Sequence, residues 1–265
     1  MNRFFHYNSG RIHYNDQSKG SPIVLIHGYL ETSEIWSSFA KKLTENFRVI
    51  SVDMPGHGKS DMYGTVYTMD YMATCISKLL EHLKLKKAFI TGHSLGGYIT
   101  LAFAELYPEM LSGYCLLHSQ PFSDDADKIQ KRNAEIDLVK KGRKDTFIPA
   151  NITKLYATDN LQKFSADLLR SRGIALRIPG ETIINVLKGM IARTSRVSVM
   201  ESGRIPCLWI LGAFDNLINC EAIQLKVRLP ENAEVVILKN SGHMGFIEEE
   251  DLSVKVIAGF VKRLK

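Results

Sequence analysis

Three residues whose types cooperate in nucleophilic catalysis occur in the chain order serine, aspartate, histidine. Ser94 lies within a G-x-S-x-G motif at residues 92–96, between an apolar stretch and a helical one, a context that presents a serine at a sharp turn. Asp215 and His243 each follow a later apolar stretch. A serine hydroxyl attacks only when a base takes its proton, and that base needs an acid to orient it. We therefore predict Ser94 as nucleophile, His243 as base and Asp215 as orienting acid.

Acyl transfer also needs two N–H donors for the oxyanion of the tetrahedral intermediate. We expect one from the amide of Leu95, directly after the serine. The other should come from the amide of Tyr29, in the loop after the apolar run 23–26. Neighbouring residues should support these loops without taking part in the chemistry, namely His27, Gly28, Gly92, Gly96 and Gly97.

Other motifs favour neither a phosphate nor a metal site. Residues 58–60, Gly-Lys-Ser, resemble the end of a phosphate-binding loop, but Asp53 stands where that motif needs a glycine. The four cysteines form no Cys-x-x-Cys pair, and the histidines lack metal-ligand spacing. We expect no metal and no cofactor.

The catalytic candidates need a scaffold, and the hydrophobic pattern predicts one. Up to residue 120 short apolar runs alternate with helical stretches, and the alternation resumes near residue 205. Residues 22–26 are almost wholly apolar, whereas residues 69–83 repeat apolar side chains every 3.6 residues. This alternation predicts an α/β fold with a mainly parallel sheet covered by helices on both faces. Loops after such strands meet at one edge of the sheet.

A long segment interrupts that alternation. Between about residues 123 and 203 the strand pattern is absent, apolar residues recur at helical spacing, and Pro149 and Pro179 punctuate them. We predict an all-helical insertion in the α/β domain.

The motifs together resemble the α/β-hydrolase superfamily, specifically its small bacterial serine-esterase-like members with a helical cap. The resemblance extends from about residue 20 to residue 250. It rests on His27-Gly28, Asp53-x-x-Gly56-x-Gly58-x-Ser60, Gly92-x-Ser94-x-Gly96-Gly97, Gly212-x-x-Asp215 and Gly242-His243. Dehalogenases and epoxide hydrolases of this superfamily carry an aspartate at the position of Ser94, so the resemblance excludes them. The ring-cleavage carbon–carbon hydrolases are also disfavoured, because Tyr29-Leu30-Glu31 replaces their glycine-rich segment.

The resemblance implies an α/β-hydrolase fold with a mainly parallel eight-stranded sheet. It implies a core of residues 1–120 and 205–265, and residues 121–204 as a cap (lid) over the site. It also implies the triad and oxyanion hole described above, with no cofactor.

Composition limits where the protein acts. Of the 265 residues, 45% are hydrophobic and 23% are charged, values that exclude wholesale disorder. No apolar run approaches the ~20 residues that span a bilayer, and the first residues lack the apolar stretch of a secretory signal. We expect a cytoplasmic protein with no membrane partner.

The net charge of +6 is concentrated in one segment. Residues 121–204 hold 16 Lys and Arg against 10 Asp and Glu, and the rest of the chain is neutral. Because acids intersperse these bases and there is no aromatic-basic stripe, we expect no nucleic-acid partner. Two interpretations stay open: solvated helix faces, or a contact for an acidic carrier.

The substrate is the least determined feature. Candidates for its pocket are His118, Phe122, Phe147 and Tyr156, although apolar residues at helical spacing usually form a helical core instead. We predict a serine hydrolase that cleaves a carboxylic ester or related acyl bond of a small molecule through an acyl-enzyme. The alternatives are a slow-turnover ligand sensor on the same fold and an esterase for methyl esters linked to an acyl carrier.

Overall fold

The computed structural model describes residues 2–264 as an eight-stranded sheet with eleven α-helices. The strands are β1 Asn2–Tyr7, β2 Gly10–Gln17, β3 Pro22–Ile26, β4 Arg48–Val52, β5 Ala88–His93, β6 Leu111–Leu117, β7 Cys207–Gly212 and β8 Ala233–Leu238. The helices are α1 Ser37–Leu43, α2 Met69–His82, α3 Leu95–Leu106, α4 Ala126–Lys140, α5 Ile148–Thr153, α6 Ser165–Arg177, α7 Gly180–Ile191, α8 Val197–Glu201, α9 Cys220–Gln224, α10 Gly245–Glu248 and α11 Glu250–Arg263. Short 3-10 turns cover Ser33–Trp36, Pro108–Met110, Lys144–Thr146 and Thr158–Asn160.

The strands follow the order β1-β2-β4-β3-β5-β6-β7-β8. β1 and β2 form an antiparallel hairpin, β2 pairs antiparallel with β4, and every later pairing is parallel. The mainly parallel eight-stranded sheet of an α/β-hydrolase fold is thereby confirmed. Because β5 to β8 are parallel neighbours, the loops that follow them emerge at one edge of the sheet.

The core lies where apolar strands are covered by helices. Ile23–Ile26 in β3 are fully buried, as are all residues of β5 and β7. α2 contacts α3, and α1 contacts α11, so the sheet is covered by two pairs of helices. Burial on both faces explains the continuous apolar runs of these strands.

Two elements differ from the sequence pattern. β1 was not expected: it alternates an exposed Phe4 with a buried Phe5 and pairs with β2 across a turn in which Asn8 has a φ of 51°. Apolar residues recur at helical spacing from 220 to 229, but α9 ends at Gln224 and Leu225 is 89% exposed.

Between β6 and β7 the structure contains helices and no strand, from residue 118 to residue 206. α4 contacts α7, and α5 contacts α6. Among the described residues, no helix has the length and apolar character to cross a bilayer.

Candidate active site

Ser94 occupies the turn between β5 and α3 in a strained conformation. Its φ of 50° and ψ of −110° lie outside the regions that side-chain-bearing residues favour. The amide of Ser94 donates to the carbonyl of Leu117 at 3.0 Å. Its own carbonyl accepts from Ser119 Oγ at 2.7 Å and from the Gly97 amide at 2.9 Å. Bonds on both sides of the residue hold the strained turn in place.

The glycines of the motif are needed for close backbone approach. A Cβ at Gly92 would lie 2.1 Å from the carbonyl oxygen of Gly96, and one at Gly96 would lie 2.3 Å from that of Ile26. A Cβ at Gly97 would meet Ser119 Oγ at 2.3 Å. No larger residue fits these positions without moving the turn that carries Ser94.

His243 and Asp215 form a buried pair at the ends of β8 and β7. His243 Nδ1 donates to Asp215 Oδ2 at 2.7 Å, and Asp215 Oδ1 accepts from the amides of Leu217 and Ile218. Burial by itself would raise the pKa of Asp215, but the His243 and nearby His118 rings outweigh it and hold that pKa well below its usual range. The carboxylate therefore stays ionised and fixes the proton of His243 on Nδ1.

The other ring nitrogen of His243 remains available as a base. Nε2 is buried and has no hydrogen-bond partner within residues 2–264. The ring lies 5.0 Å, centroid to centroid, from that of His93, the residue directly before Ser94. An imidazole with its proton fixed on Nδ1 and a free lone pair on Nε2 can accept a proton from a hydroxyl.

The two expected oxyanion donors follow adjacent strands. Leu95 is the first residue of α3, where an amide has no acceptor within its own helix. Tyr29 follows β3, which pairs with β5 in a register that places Ile26 opposite Gly92. The Tyr29 hydroxyl donates to Glu135 of α4 at 3.0 Å, so the insertion contacts this loop.

His27 and Gly28 hold the loop that carries Tyr29. His27 Nδ1 donates to the carbonyl of Gly28 at 2.9 Å, and Nε2 accepts from the amide of Met54 at 3.1 Å. The ring is fully buried, which lowers its pKa and keeps it neutral. A Cβ at Gly28 would lie 2.7 Å from His93 Nδ1. Both residues are structural supports of the loop.

The four pocket candidates lie in different environments. His118 is fully buried behind Asp215, with its Nδ1 at 3.7 Å from Oδ2, and burial lowers its pKa to about 4. Tyr156 is buried, and its hydroxyl bonds to Ser171 Oγ at 2.9 Å. Phe122 and Phe147 are half-buried against the core. His118 and Tyr156 are thus packed residues, which leaves the two phenylalanines as the accessible candidates.

The insertion also reaches the loop that carries His243. The amide of His243 donates to the carbonyl of Leu155 at 2.6 Å. Glu248 accepts from the amides of Gly242 and Ala157, each at 2.8 Å. Sequence analysis missed Glu248, because no pattern marks a carboxylate that caps backbone amides from two distant segments.

Glu31 is the second residue that sequence analysis missed. Its buried carboxylate accepts from the amide of Gly28 at 2.6 Å and lies 2.9 Å from His93 Nδ1. A charged residue four positions after His27 carries no recognisable signal. Among the described residues, no group of three or more His, Cys, Asp or Glu is placed to hold a metal ion.

An α/β sheet with a serine at a strained strand–helix turn and a His–Asp pair at the same edge defines the class of alpha/beta hydrolases. The chain belongs to the alpha/beta hydrolase family, whose family model, described as "alpha/beta hydrolase fold", matches residues 21–250.

Individual relatives are similar at about a quarter of positions. The chain is 25% identical over 265 residues to the 2-(acetamidomethylene)succinate hydrolase of Mesorhizobium japonicum, covering 95% of this chain and 92% of that one. It is 27% identical over 231 residues to the pimeloyl-[acyl-carrier protein] methyl ester esterase of Sodalis glossinidius, covering 85% and 87%. A solved thermophilic esterase from Thermogutta terrifontis superposes with a TM-score of 0.93 at 24% identity, covering 100% and 99%, and so shares the fold.

Proposed function

We propose that this protein is a serine hydrolase that cleaves a carboxylic ester, or a related acyl bond, of a small substrate, as a carboxylesterase does. One observation carries the proposal: the unpartnered Nε2 of a His243 ring oriented by Asp215, beside the strained turn of Ser94. The relatives named above are by name a 2-(acetamidomethylene)succinate hydrolase and a methyl ester esterase, so family membership alone leaves the bond to be cleaved open.

In this mechanism His243 Nε2 takes the proton of Ser94 as Oγ attacks the acyl carbon. The amides of Leu95 and Tyr29 donate to the oxyanion, and Asp215 stabilises the imidazolium that forms. His243 then gives the proton to the leaving alkoxide, which leaves an acyl-Ser94 ester. Water attacks that ester with His243 again as base, and the carboxylic acid departs.

Residues 121–204 act in this proposal as a cap over the site. The contacts of Glu135 with Tyr29 and of Leu155 with His243 support it, because they place the insertion beside both catalytic loops. The half-buried Phe122 and Phe147 are the proposed apolar lining of the acyl site.

Replacement of Ser94 tests the reaction. Ser94→Ala should lower kcat for p-nitrophenyl acetate by at least about 10³-fold, since a nucleophile is lost and only binding and oxyanion donors remain. Ser38→Ala, at an exposed position of α1, is the matched control and should keep the wild-type rate. Circular dichroism should show both variants folded. Wild-type hydrolysis by a folded Ser94→Ala protein would overturn the proposal.

A ligand sensor with slow turnover is the second function that the same residues allow. A panel of esters that varies acyl length and charge separates the two, with methyl esters of an acyl carrier included. We expect at least one ester to reach a kcat near the ~10 s⁻¹ typical of enzymes. Turnover far below that across the panel would favour the sensor.

A further inference from the structure

His93 has an acceptor atom at each of its two ring nitrogens. Nδ1 lies 2.9 Å from Glu31 Oε2, and Nε2 lies 2.9 Å from the carbonyl oxygen of His243. A neutral imidazole carries only one N–H, so its second nitrogen would face an oxygen lone pair. A carbonyl oxygen cannot donate, and Oε2 already accepts from the amide of Gly28. An imidazolium paired with a carboxylate satisfies both contacts.

The groups around His93 favour that charge. Glu31 and Asp215 are the carboxylates near it, from the loops after β3 and β7, and the aromatic rings of Trp36 and Phe246 pack against it. The other titratable neighbours are histidines: His243 and His118 at ring distances of 5.0 and 6.2 Å, and His27. Burial lowers the pKa of His27 and His118, so those two rings are neutral.

Taken together, burial and the neighbouring groups raise the pKa of His93. Burial by itself lowers the pKa of His93, but the Glu31 carboxylate, the His243 carbonyl and Asp215 outweigh it, and the pKa lies above its ordinary value of 6.5. The same contact lowers the pKa of Glu31 despite its burial. Both directions agree with the geometry of an ion pair.

The pair connects the two loops that the proposed mechanism uses. Glu31 holds the amide of Gly28, next to Tyr29, and His93 holds the carbonyl of His243. The amide of His243 donates to the carbonyl of Leu155 in the insertion. The His93–Glu31 pair thus fixes the carbonyl of the base, while Glu248 holds the amide of the preceding residue, Gly242.

We propose that His93 is a positioning residue: as an imidazolium paired with Glu31, it holds the His243 carbonyl and thereby sets the catalytic imidazole against Ser94. This inference rests on the function proposed above. His93 touches no reacting atom; it acts through the backbone of His243.

A distinct pH dependence follows. When His93 loses its proton, the N–H that remains is drawn to the charged Glu31, because hydrogen bonds to a carboxylate are stronger than those to a carbonyl. The His243 carbonyl then faces a lone pair and is released. kcat should therefore fall on the alkaline side as His93 deprotonates, with the fold intact.

The variant Glu31→Gln isolates the charge. Glutamine has the same shape, and its amide oxygen can still accept from Gly28. Without the carboxylate, His93 loses its proton about 1–3 pH units lower, as expected for removal of an opposite charge at contact distance. The alkaline limb of kcat for p-nitrophenyl acetate should move down by the same amount.

Asp53→Asn is the matched control. Asp53 is also a buried carboxylate beside a histidine, 2.8 Å from His13 Nδ1, but its other bonds go to the amides of Ser33 and Lys59. Loss of the Asp53 carboxylate should lower the melting temperature of the protein without moving the alkaline limb of kcat.

Nitrogen NMR of the protein labelled with ¹⁵N-histidine measures the charge of His93 independently of activity. His93→Gln assigns the resonance by its absence. We expect the titration of His93 to be centred above pH 6.5 in the wild type, with both nitrogens mainly protonated at pH 6.5, and at lower pH in Glu31→Gln.

Each outcome bears on one claim. A His93 that is mainly neutral at pH 6.5 in the wild type overturns the inference, whether or not the protein is an esterase. An imidazolium in the wild type with an unmoved alkaline limb in Glu31→Gln overturns the positioning role. If Glu31→Gln does not fold, His93→Gln provides the test. It must show a reduced kcat at neutral pH and lack the alkaline fall in kcat that the wild type shows when His93 deprotonates. A charged His93 in a protein that cleaves no ester of the panel would refute the proposed function alone.

Discussion

The backbone amide of His243 donates a 2.6 Å hydrogen bond to the carbonyl of Leu155, which lies 88 positions earlier in the helical insertion. The proposed base is therefore held by a segment outside the sheet as well as by Asp215 within it. Movement of residues 155–157 would move the peptide of His243. This contact makes the proposed cap part of the support of the active site.

Gly242→Ala should disturb that contact. A Cβ at Gly242 would lie 2.5 Å from the amide nitrogen of Ala157 and 2.8 Å from the carbonyl carbon of Tyr156, both backbone atoms. We expect a loss of about 1–3 kcal/mol in the free energy of unfolding and a lower kcat. Gly173→Ala is the control, because its Cβ would meet only the end of Arg177 at 3.7 Å. Urea unfolding and steady-state kinetics measure both effects; equal behaviour of the two variants would contradict the prediction.

Asp215→Asn should preserve the fold and remove most activity. The amide oxygen can still accept from Leu217 and Ile218, but the NH₂ group would face His243 Nδ1. The ring must then carry its proton on Nε2, which cannot act as a base. We expect kcat to fall by about 10⁴-fold, as for the equivalent change in a serine protease triad. A loss below tenfold in a folded variant would argue against the assigned role of Asp215.

The free energy of unfolding should fall on acidification below pH 6.5. Three buried histidines have lowered pKa values because of burial: His27, His57 at about 3 and His118 at about 4. The unfolded chain binds their protons near pH 6.5 and the folded chain does not. The contribution of these three histidines is therefore complete above pH 6.5 and declines as pH falls, by up to about 1.4 kcal/mol per pH unit for each group.

Urea unfolding at pH 7 and pH 5 measures this decline. The His93–Glu31 pair works in a different range. Its histidine contribution is complete below pH 6.5 and is lost as pH rises through the raised pKa. Its glutamate contribution is complete above pH 4.5 and is lost as pH falls through the lowered pKa.

His57→Gln tests the histidine prediction. It should reduce the slope of the free energy of unfolding against pH, between pH 7 and 5, by about one proton. An unchanged slope would show that His57 does not contribute.

The basic surplus of residues 121–204 leads to a prediction about salt. Arg132 and Arg193 share Asp124, and Arg196 reaches Asp70 and Glu105, so these arginines are neutralised by acids. Exposed lysines remain on α4 at positions 128 and 131, whereas the exposed Lys140 pairs with Asp137 at 3.9 Å. If they attract an acidic carrier, kcat/KM for a carrier-bound ester should fall as salt rises from 0.1 to 1 M, because the Debye length shrinks from ~10 to ~3 Å.

A neutral short-chain ester is the control for this experiment. We expect its kcat/KM to change little over the same range, and kcat for the carrier-bound ester to stay constant. Equal salt sensitivity of both substrates would assign the lysines to a solvated helix face.

Local pattern alone determined much of the scaffold. The apolar run at residues 22–26 is β3, and the residues with a 3.6-residue repeat between 69 and 83 form α2. These elements depend on side-chain periodicity and on turns within a few residues, which is information that a sequence displays directly. The motif around Ser94 is also visible in the sequence, because the glycines that the strained turn needs lie within three residues of the serine.

Only the tertiary structure decided how the site is supported. Glu31 contacts His93 from 62 positions away, and His93 contacts the carbonyl of His243 from 150 positions away. The burial of His118 and Tyr156 likewise depends on neighbours from other elements. Contacts between distant segments leave no period and no spacing in the chain, and a buried charge is stabilised only by a partner that the fold brings to it. The sequence therefore predicts which groups react, and the packing of the sheet edge against the insertion selected the residues that hold them.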